Sequence, residues 1–342
     1  MNLNLCFMGL GSVGRELIKL IDRKHDDVQT QYDLTFNIIG IATGKHGILF
    51  DPAGIDHTEA LNGQWADRAW PSTEENRLKM IRECAAASSN GALVEMSPIN
   101  RATGRPAFDY MELALNLGLH AVSANKGPIV HGYRQLRDLA KKQGKACLFE
   151  STVMDGFPLL NLYRECLPAT RVTRFRGVLN STTNLVLSLM ADGKTFDEAV
   201  QYAQQIGIAE TDPSNDIDGW DAAVKVCVLS NVLMGADIRP TDVDRTGIRA
   251  ITTEMIREAE QANRRWRLIC SAEWIDGELK AKVAPEQVTA DDPAYNLPGT
   301  TSVVQLRTDT LNQLTLLETA PTPAQTAFGV LADLIAAARG HY

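Results

Sequence analysis

The stretch Gly9-Leu10-Gly11-Ser12-Val13-Gly14 decides the fold of this chain. It follows an apolar run at residues 3–8 and opens an amphipathic stretch at 13–24, so its G-x-G-x-x-G pattern sits where a strand turns into a helix. In such a turn the first glycine permits the tight bend. The second lets backbone approach a pyrophosphate, and the third lets helix and strand pack closely. The helix start adds unpaired N–H groups and a partial positive charge, which suit phosphate. The plainer alternative is a glycine-rich strand–helix turn with no ligand; the place of the motif at the front of an alternating α/β pattern favours a dinucleotide.

Outward from that loop, short apolar runs at 36–42, 92–96, 121–123 and 146–149 read as further strands. Residues 13–24, 108–117 and 133–142 read as helices, the last two followed by Gly118 and Gly144. Strands alternating with helices predict a Rossmann-type, doubly wound, mostly parallel sheet. Residues 44–72 read as a long connection with one short helix. A strand that serves NAD usually ends in an acid for the ribose 2′-hydroxyl. Here the second strand runs into Thr43-Gly44-Lys45-His46 with no acid before Asp51. Thr43 and Lys45 suit a 2′-phosphate, which leans the reading from NAD towards NADP; the alternative is that Lys45 is a solvated loop charge. Ser97, directly after the strand at 92–96, is placed to touch nicotinamide or ribose, or is a turn residue before Pro98.

After Glu150 the pattern changes. A strand at 173–179 precedes helices at 183–190 and 196–206. Two hairpins follow, 267–274 with 279–283 around Asp276-Gly277, and 302–308 with 313–317. These elements predict an α+β second domain after Glu150. The apolar stretch 324–338 with Gly340 behind it reads as a final helix. The pattern over residues 1–149 predicts a dinucleotide domain, with the active site in the cleft at the carboxyl ends of the strands.

Composition narrows the partners. The chain has 342 residues and a formal net charge of −8, which disfavours nucleic acid. No run approaches the roughly 18 apolar residues of a membrane span, and the N-terminus lacks the basic region and following cleavage site of a leader and reads instead as a first strand. The cysteines Cys6, Cys84, Cys147, Cys166, Cys227 and Cys270 are scattered without a C-x-x-C pair, as in a reduced, cytoplasmic protein. Histidine spacing offers no transition-metal site.

Residues 218–235 form a helix that is apolar on most sides, with Asp218 as expected N-cap and Gly235 just past its end. Asp221 and Lys225 are its only internal charges, and their i, i+4 spacing puts them on one face. Burying an ion pair often costs more than its attraction returns. The pair therefore serves either a polar cavity or a structural bridge to a neighbour. Upstream, Glu210, Asp212, Asp216 and Asp218 could hold a cation or cap a helix; an EF-hand read from Asp212 fails, because Ile217 and Ala223 fall where the loop needs glycine and glutamate.

These motifs together resemble homoserine dehydrogenase along nearly the whole chain. Ala124-Asn125-Lys126 looks like that family's Ala-Asn-Lys turn. Glu150-Ser151-Thr152-Val153, with Gly156 and Pro158, looks like its Glu-x-Thr-Val segment. Residues 177–184, Gly-Val-Leu-Asn-Ser-Thr-Thr-Asn, are similar to its Gly-x-Leu-Asn-Gly-Thr-Thr-Asn, and residues 209–225 fall on its substrate signature. The resemblance implies interconversion of L-homoserine and L-aspartate 4-semialdehyde with NAD(P)(H). It implies Lys225 as proton donor and acceptor, Asp221 as its partner, and Lys126 at the nicotinamide end, beside Asn125. Glu210, Asp216, Asp221 and Thr183 would bind substrate. Glu150, Val153, Asp155 and Phe157 would hold a monovalent cation such as Na+. The protein would be a homodimer through an inserted catalytic and dimerisation domain of residues 150–321, and the helix at 322–342 would return to complete the dinucleotide domain of residues 1–149. The physical logic agrees, since removing hydride from an alcohol carbon needs a base on the hydroxyl, and a buried lysine changes its pKa readily.

Three departures stand beside the match. Glu318-Thr319-Ala320-Pro321-Thr322 replaces the family's Gly-x-Gly-Ala-Gly, which brings a carboxylate where backbone approaches the cofactor. Ser181 replaces a glycine, and the segment after Ala324 leaves no room for an ACT regulatory domain. The altered loop would suit a divergent relative acting on another small amino or hydroxy acid. A non-catalytic nucleotide sensor would need no proton-transfer pair. Aspartate-semialdehyde dehydrogenase would need an activated cysteine, and neither Cys147 nor Cys166 has that setting.

Overall fold

The structure is a computed structural model that describes residues 1–63, 65 and 68–342. The chain divides into two compact units, Met1–Arg164 with Thr322–Tyr342, and Glu165–Pro321.

The first unit begins β1 Asn2–Met8, α1 Ser12–Arg23, α2 His25–Tyr32 and β2 Thr35–Ala42. It continues with β3 Ile48–Phe50, α3 His57–Asn62, α4 Glu74–Ala86, β4 Gly91–Glu95 and α5 Ala107–Asn116. Then come β5 His120–Ser123, α6 Lys126–Gln143, β6 Cys147–Leu148 and a single turn, α7 Leu159–Asn161. The strands form one sheet in the order β3-β2-β1-β4-β5-β6. All neighbours run parallel except β3, which folds back on β2. The order reverses between β1 and β4, the place where ligands sit in doubly wound sheets. The α/β expectation from the glycine loop holds.

Local readings differ at several points. The helix expected at 13–24 is α1, and the chain re-enters a separate α2 at His25. The helix expected at 133–142 starts at Lys126, capped by Asn125, whose side chain accepts from Gly127 N. It kinks at Gly132, where a Cβ would lie 2.0 Å from the Phe108 ring. The 44–72 connection carries β3 and α3; its residues 64, 66 and 67 lie outside the described residues.

The second unit contains β7 Val172–Val178, α8 Ser181–Ala191, α9 Phe196–Gln205, α10 Ser214–Ile217 and α11 Trp220–Leu233. It closes with β8 Asp244–Arg245, α12 Thr253–Gln261, β9 Arg264–Ile275, β10 Glu278–Thr289, β11 Ser302–Thr308 and β12 Leu314–Glu318. Its six strands are ordered β12-β11-β7-β9-β10-β8, and all pairs are antiparallel except β10 with β8. One face carries Phe175, Ala272 and Leu306 into the interior, while the other presents Arg174, Glu273 and Arg307.

The final helix, α13 Pro323–Arg339, belongs to the first unit. It shares one apolar core with α1, with Ala327, Val330 and Leu334 packed among residues such as Leu17 and Ile18. The first unit runs past Phe149 to Arg164 because this segment is tied to α13. Glu150 N donates to Asp333 Oδ2 at 2.8 Å, and Ser151 Oγ to Thr326 O at 2.7 Å.

Candidate active site

The turn between β1 and α1 is three residues long, and its glycines have separate reasons. Gly9 has φ +101°, and a Cβ there would lie 2.7 Å from Met96 O. A Cβ on Gly14 would meet Gly9 O and Leu10 Cδ1 at 3.3 Å. Gly11, the N-cap of α1, has open space where a Cβ would go, so no atom of the described residues requires a glycine there. The open space fits a backbone approached by a ligand. Ser12 is exposed and Val13 half-buried at the helix start, and the first turn of α1 carries no acid. Gly9 N donates to Ala42 O at 2.9 Å and Met96 N to Met8 O at 2.8 Å, which lace together the ends of β1, β2 and β4.

At the end of β2, Thr43 is buried and spent on its own turn. Its hydroxyl donates to Gly47 O at 3.2 Å and accepts from His46 N at 2.8 Å. Lys45 is exposed within this turn. Ser72 Oγ donates to Thr43 O and accepts from Arg77 Nη2 at 2.6 Å, which brings a second cation beside the turn. Sequence reasoning missed Arg77, which lies 34 positions away in the chain from Thr43 with no local motif. Asp51 pairs at the level of Ile39, within β2, not at its end.

At the ends of β4 and β5, Ser97 N donates to Glu95 Oε1 at 2.7 Å, and Ser97 Oγ also binds that oxygen. Asn125 Nδ2 donates to Ser97 O at 3.1 Å and to Glu95 Oε1 at 3.4 Å. Lys126, half-buried, is the first residue of α6. Ser97, Asn125 and Lys126 therefore stand together at one end of the sheet. Glu95 was also missed, because a single acid ending an apolar strand looks like any strand terminus.

In the second unit, Lys225 Nζ lies 3.0 Å from Asp221 Oδ2, and both side chains are 15% exposed. Lys225 also donates to Leu179 O at 2.6 Å. Asn180, the N-cap of α8, donates from Nδ2 to Asp216 Oδ1 at 2.7 Å and to Asp221 Oδ2 at 3.1 Å. Burial, then the neighbouring Asp221 charge, raises the Asp216 carboxyl above its usual range, while Asn180 opposes the rise. The result is a partly buried group of two carboxylates, one ammonium and one amide.

Other expected residues fall elsewhere. Thr183 is fully buried, with its N–H and hydroxyl both given to Asn180, so it fixes Asn180. Glu210 is exposed, and Gln204 Nε2 holds its carbonyl at 3.1 Å. Asp218 does not cap α11. Gly219 does, at φ +79°, and Asp218 pairs with Arg249 at 2.5 Å. Asp212 accepts from Ser214 N at 3.0 Å. The acidic run thus disperses, and no group of three or more metal-ligating side chains stands together among the described residues.

The Glu150–Phe157 segment gives its acids to the protein. Glu150 is buried and accepts from Leu160 N at 2.8 Å and Asn161 N at 2.5 Å. Asp155 Oδ1 accepts from Thr326 Oγ1 at 2.8 Å, and Phe157 N donates to Met154 O at 2.8 Å. Val153 is fully buried. Burial raises Glu150 to about 7 against the pull of those N–H groups. With both of its oxygens taken by backbone N–H groups, Glu150 does not fit a cation ligand.

Glu318 likewise departs from expectation. It is buried and pairs in register with Ser302 at the end of β12, so it is a strand residue and not a loop charge. Cys147 is no nucleophile, since burial pushes its thiol up to about 12.

The family model described as homoserine dehydrogenase matches residues 158–335. An NAD(+)-dependent homoserine dehydrogenase of Pseudomonas canavaninivorans is 32% identical over 339 residues, covering 97% of this chain and 95% of its own. The homoserine dehydrogenase of Methanocaldococcus jannaschii is also 32% identical, over 97% of this chain and 98% of its own. A solved hyperthermophilic archaeal homoserine dehydrogenase in complex with NADPH superposes with TM-score 0.81 at 29% identity, covering 99% and 98% of the two chains. Glycine loop, sheet order, carboxylate–lysine helix and full-length similarity agree, and the chain belongs to the homoserine dehydrogenase family.

Proposed function

We propose that this chain interconverts L-homoserine and L-aspartate 4-semialdehyde, with NAD(P)(H) as hydride carrier. The observation that carries the reading is the Lys225–Asp221 pair, joined through Asn180 to Asp216 in one partly buried group. A bridge made only to close α11 on a neighbour needs no second carboxylate and no bridging amide. The nicotinamide supplies or accepts the hydride at the substrate's C4. Lys225, neutral, takes the hydroxyl proton as the alcohol becomes an aldehyde; as an ammonium it returns that proton in reduction. Asp221 holds the ammonium form and orients it. Asp216, with Glu210 from the adjoining loop, supplies negative charge for the substrate ammonium group.

On the first unit, Gly9–Gly14 and the start of α1 cradle the pyrophosphate. Ser97, Asn125 and Lys126 serve the nicotinamide end. Lys45 and Arg77, with no acid ending β2, support NADP over NAD, and Thr43 shapes the turn that carries Lys45. No step passes through a cation at Glu150–Phe157. The free cysteines, all unpaired in the structure, support a reducing, cytoplasmic setting. Among the described residues no helix is long and apolar enough to cross a membrane. A homodimer through the second unit is supported by the sheet face carrying Arg174, Glu273 and Arg307, which that unit's apolar core leaves outside.

The test is initial rates with L-homoserine and either NAD or NADP, beside Lys225→Ala. Turnover that falls in the variant by about 10²–10⁴, the range of general acid–base catalysis, supports the reading. Equal turnover in the two proteins refutes the role of Lys225. Cofactor binding without turnover of homoserine moves the substrate to another small amino or hydroxy acid.

A further inference from the structure

We infer that Glu95 is a positioning residue for the nicotinamide end of the bound cofactor, holding the turns after β4 and β5 in one arrangement through a single carboxylate oxygen. The inference rests on the nicotinamide reading of the first unit. Glu95 takes no part in the proton transfer described above. It ends β4, is fully buried, and its Oε1 collects the Ser97 N–H, the Ser97 hydroxyl and the Asn125 amide. Asn125 in turn caps α6 through Gly127 N, at the residue before Lys126. One oxygen therefore sets both side chains expected to meet the nicotinamide half, beside the point where the strand order reverses.

A merely structural tie would not need a charge. Glu95 has no ion-pair partner among the described residues, and its Oε2 is buried without a hydrogen bond. Keeping an acid in such a place is costly, whereas a glutamine carbonyl could accept from the same donors. What the carboxylate adds is a charged acceptor, whose hydrogen bonds are shorter and about twice as strong as neutral ones. Its grip then depends on ionisation, and burial moves Glu95 to about 7. Around it stand Arg77 on α4, Tyr110 on α5 and Cys6 on β1. Tyr110 is pushed upward by burial and its hydrogen bond to Glu74, and Cys6 by its hydrogen bond to Cys84 and by burial, so both stay neutral. On β5, His120 pairs with Ala92 at the opposite end of β4. Of Glu95, Tyr110 and Cys6, Glu95 alone changes charge between about pH 6 and 8.

The experiment titrates the full chain with NADH and NADPH between about pH 5.5 and 8.5, following reduced-nicotinamide fluorescence, for wild type, Glu95→Gln and Ser97→Ala. NADH matters because the 2′-phosphate of NADPH itself titrates near pH 6. Wild type should bind both cofactors about tenfold more weakly at pH 6 than at pH 8, the scale of one charge-assisted hydrogen bond. Glu95→Gln should bind about tenfold more weakly at pH 8, with no pH dependence towards NADH. In steady state it should raise the cofactor KM while kcat and the homoserine KM stay within about twofold. Ser97→Ala should weaken binding in the same direction and keep the pH dependence through Asn125. A flat wild-type profile with NADH overturns the inference, whether or not Glu95→Gln folds. So does a Glu95→Gln profile that matches wild type. Wild type that binds neither cofactor overturns the nicotinamide reading itself, and this inference with it.

Discussion

Replacing Asp333 by asparagine should shift the stability of the first unit, relative to wild type, progressively in favour of the variant as pH rises. Asp333 lies on α13, is 1% exposed, and accepts from Glu150 N at 2.8 Å through Oδ2, while its Oδ1 is buried without a hydrogen bond. Burial and, after it, the Glu150 charge raise it from 3.8 to about 7. An acid whose folded pKa is raised holds its proton longer in the native state than in the unfolded one. Stability is therefore fullest below the unfolded pKa and falls as pH climbs towards the folded value. Moving an aspartate from 3.8 to about 7 corresponds to about 4 kcal/mol once both states are ionised. Between pH 5 and pH 8 the part still to be lost is about 3 kcal/mol. The asparagine keeps an acceptor for Glu150 N and carries no charge. Its new NH₂ group, if it lacks an acceptor, costs about 1–3 kcal/mol at every pH, so the absolute difference from wild type has no fixed sign. The difference must nevertheless widen in favour of the variant by about 3 kcal/mol from pH 5 to pH 8. Urea unfolding at about 25 °C, followed across that range for both proteins, measures it. A difference that stays constant, or narrows, refutes the claim that Asp333 is ionised in the interior at the expense of the fold.

Asp221→Asn should keep α11 folded and lower kcat by about 10²-fold or more, because Lys225 loses the charge that holds its ammonium form; an unchanged kcat would return the pair to a structural role. Gly9→Ala should lower first-unit stability by about 1–3 kcal/mol from backbone strain alone and abolish cofactor binding, since the methyl would press on Met96 O; calorimetry with NADPH reads the binding. Lys45→Glu should raise the KM for NADP by about tenfold and leave that for NAD nearly unchanged, the expected effect of one charge-assisted contact to a 2′-phosphate. Equal effects on the two cofactors would place Lys45 in bulk solvent.

What could be read from the sequence follows from how local each constraint is. The glycine loop is legible because Gly9 and Gly14 answer to atoms within the same strand–turn–helix and its neighbour strand, a geometry that recurs wherever the pattern occurs. Asp221 and Lys225 are legible because four residues of helix put them side by side. Their surroundings were not. Asn180 lies 36 and 41 positions from the two carboxylates it joins, and nothing short of the folded β7–α8 turn says which acids it will meet. Family resemblance supplied that region as a motif, but gave Thr183 to the substrate, where the structure gives it to Asn180.

The misread cap of α11 shows how partners, more than propensities, assign acids their work. Asp218 and Gly219 are both good residues for a helix start. The backbone there must enter at φ +79°, where an added Cβ would meet Val283 Cγ1 at 3.3 Å, and this selects glycine for the cap. That leaves Asp218 free to pair with Arg249, 31 positions downstream. The same reasoning separates Asp212, held by a local N–H, from Asp216, drawn to Asn180. Four carboxylates within nine residues look like one charged patch in a sequence, yet each is sorted by the donors it meets once the chain folds. Asp216 alone among Asp212, Asp216 and Asp218 is left beside Asp221 and Lys225, with its carboxyl raised by burial and by the Asp221 charge. A substrate ammonium would relieve this accumulation of negative charge, which is why Asp216, more than the exposed Glu210, should set the affinity for the amino acid.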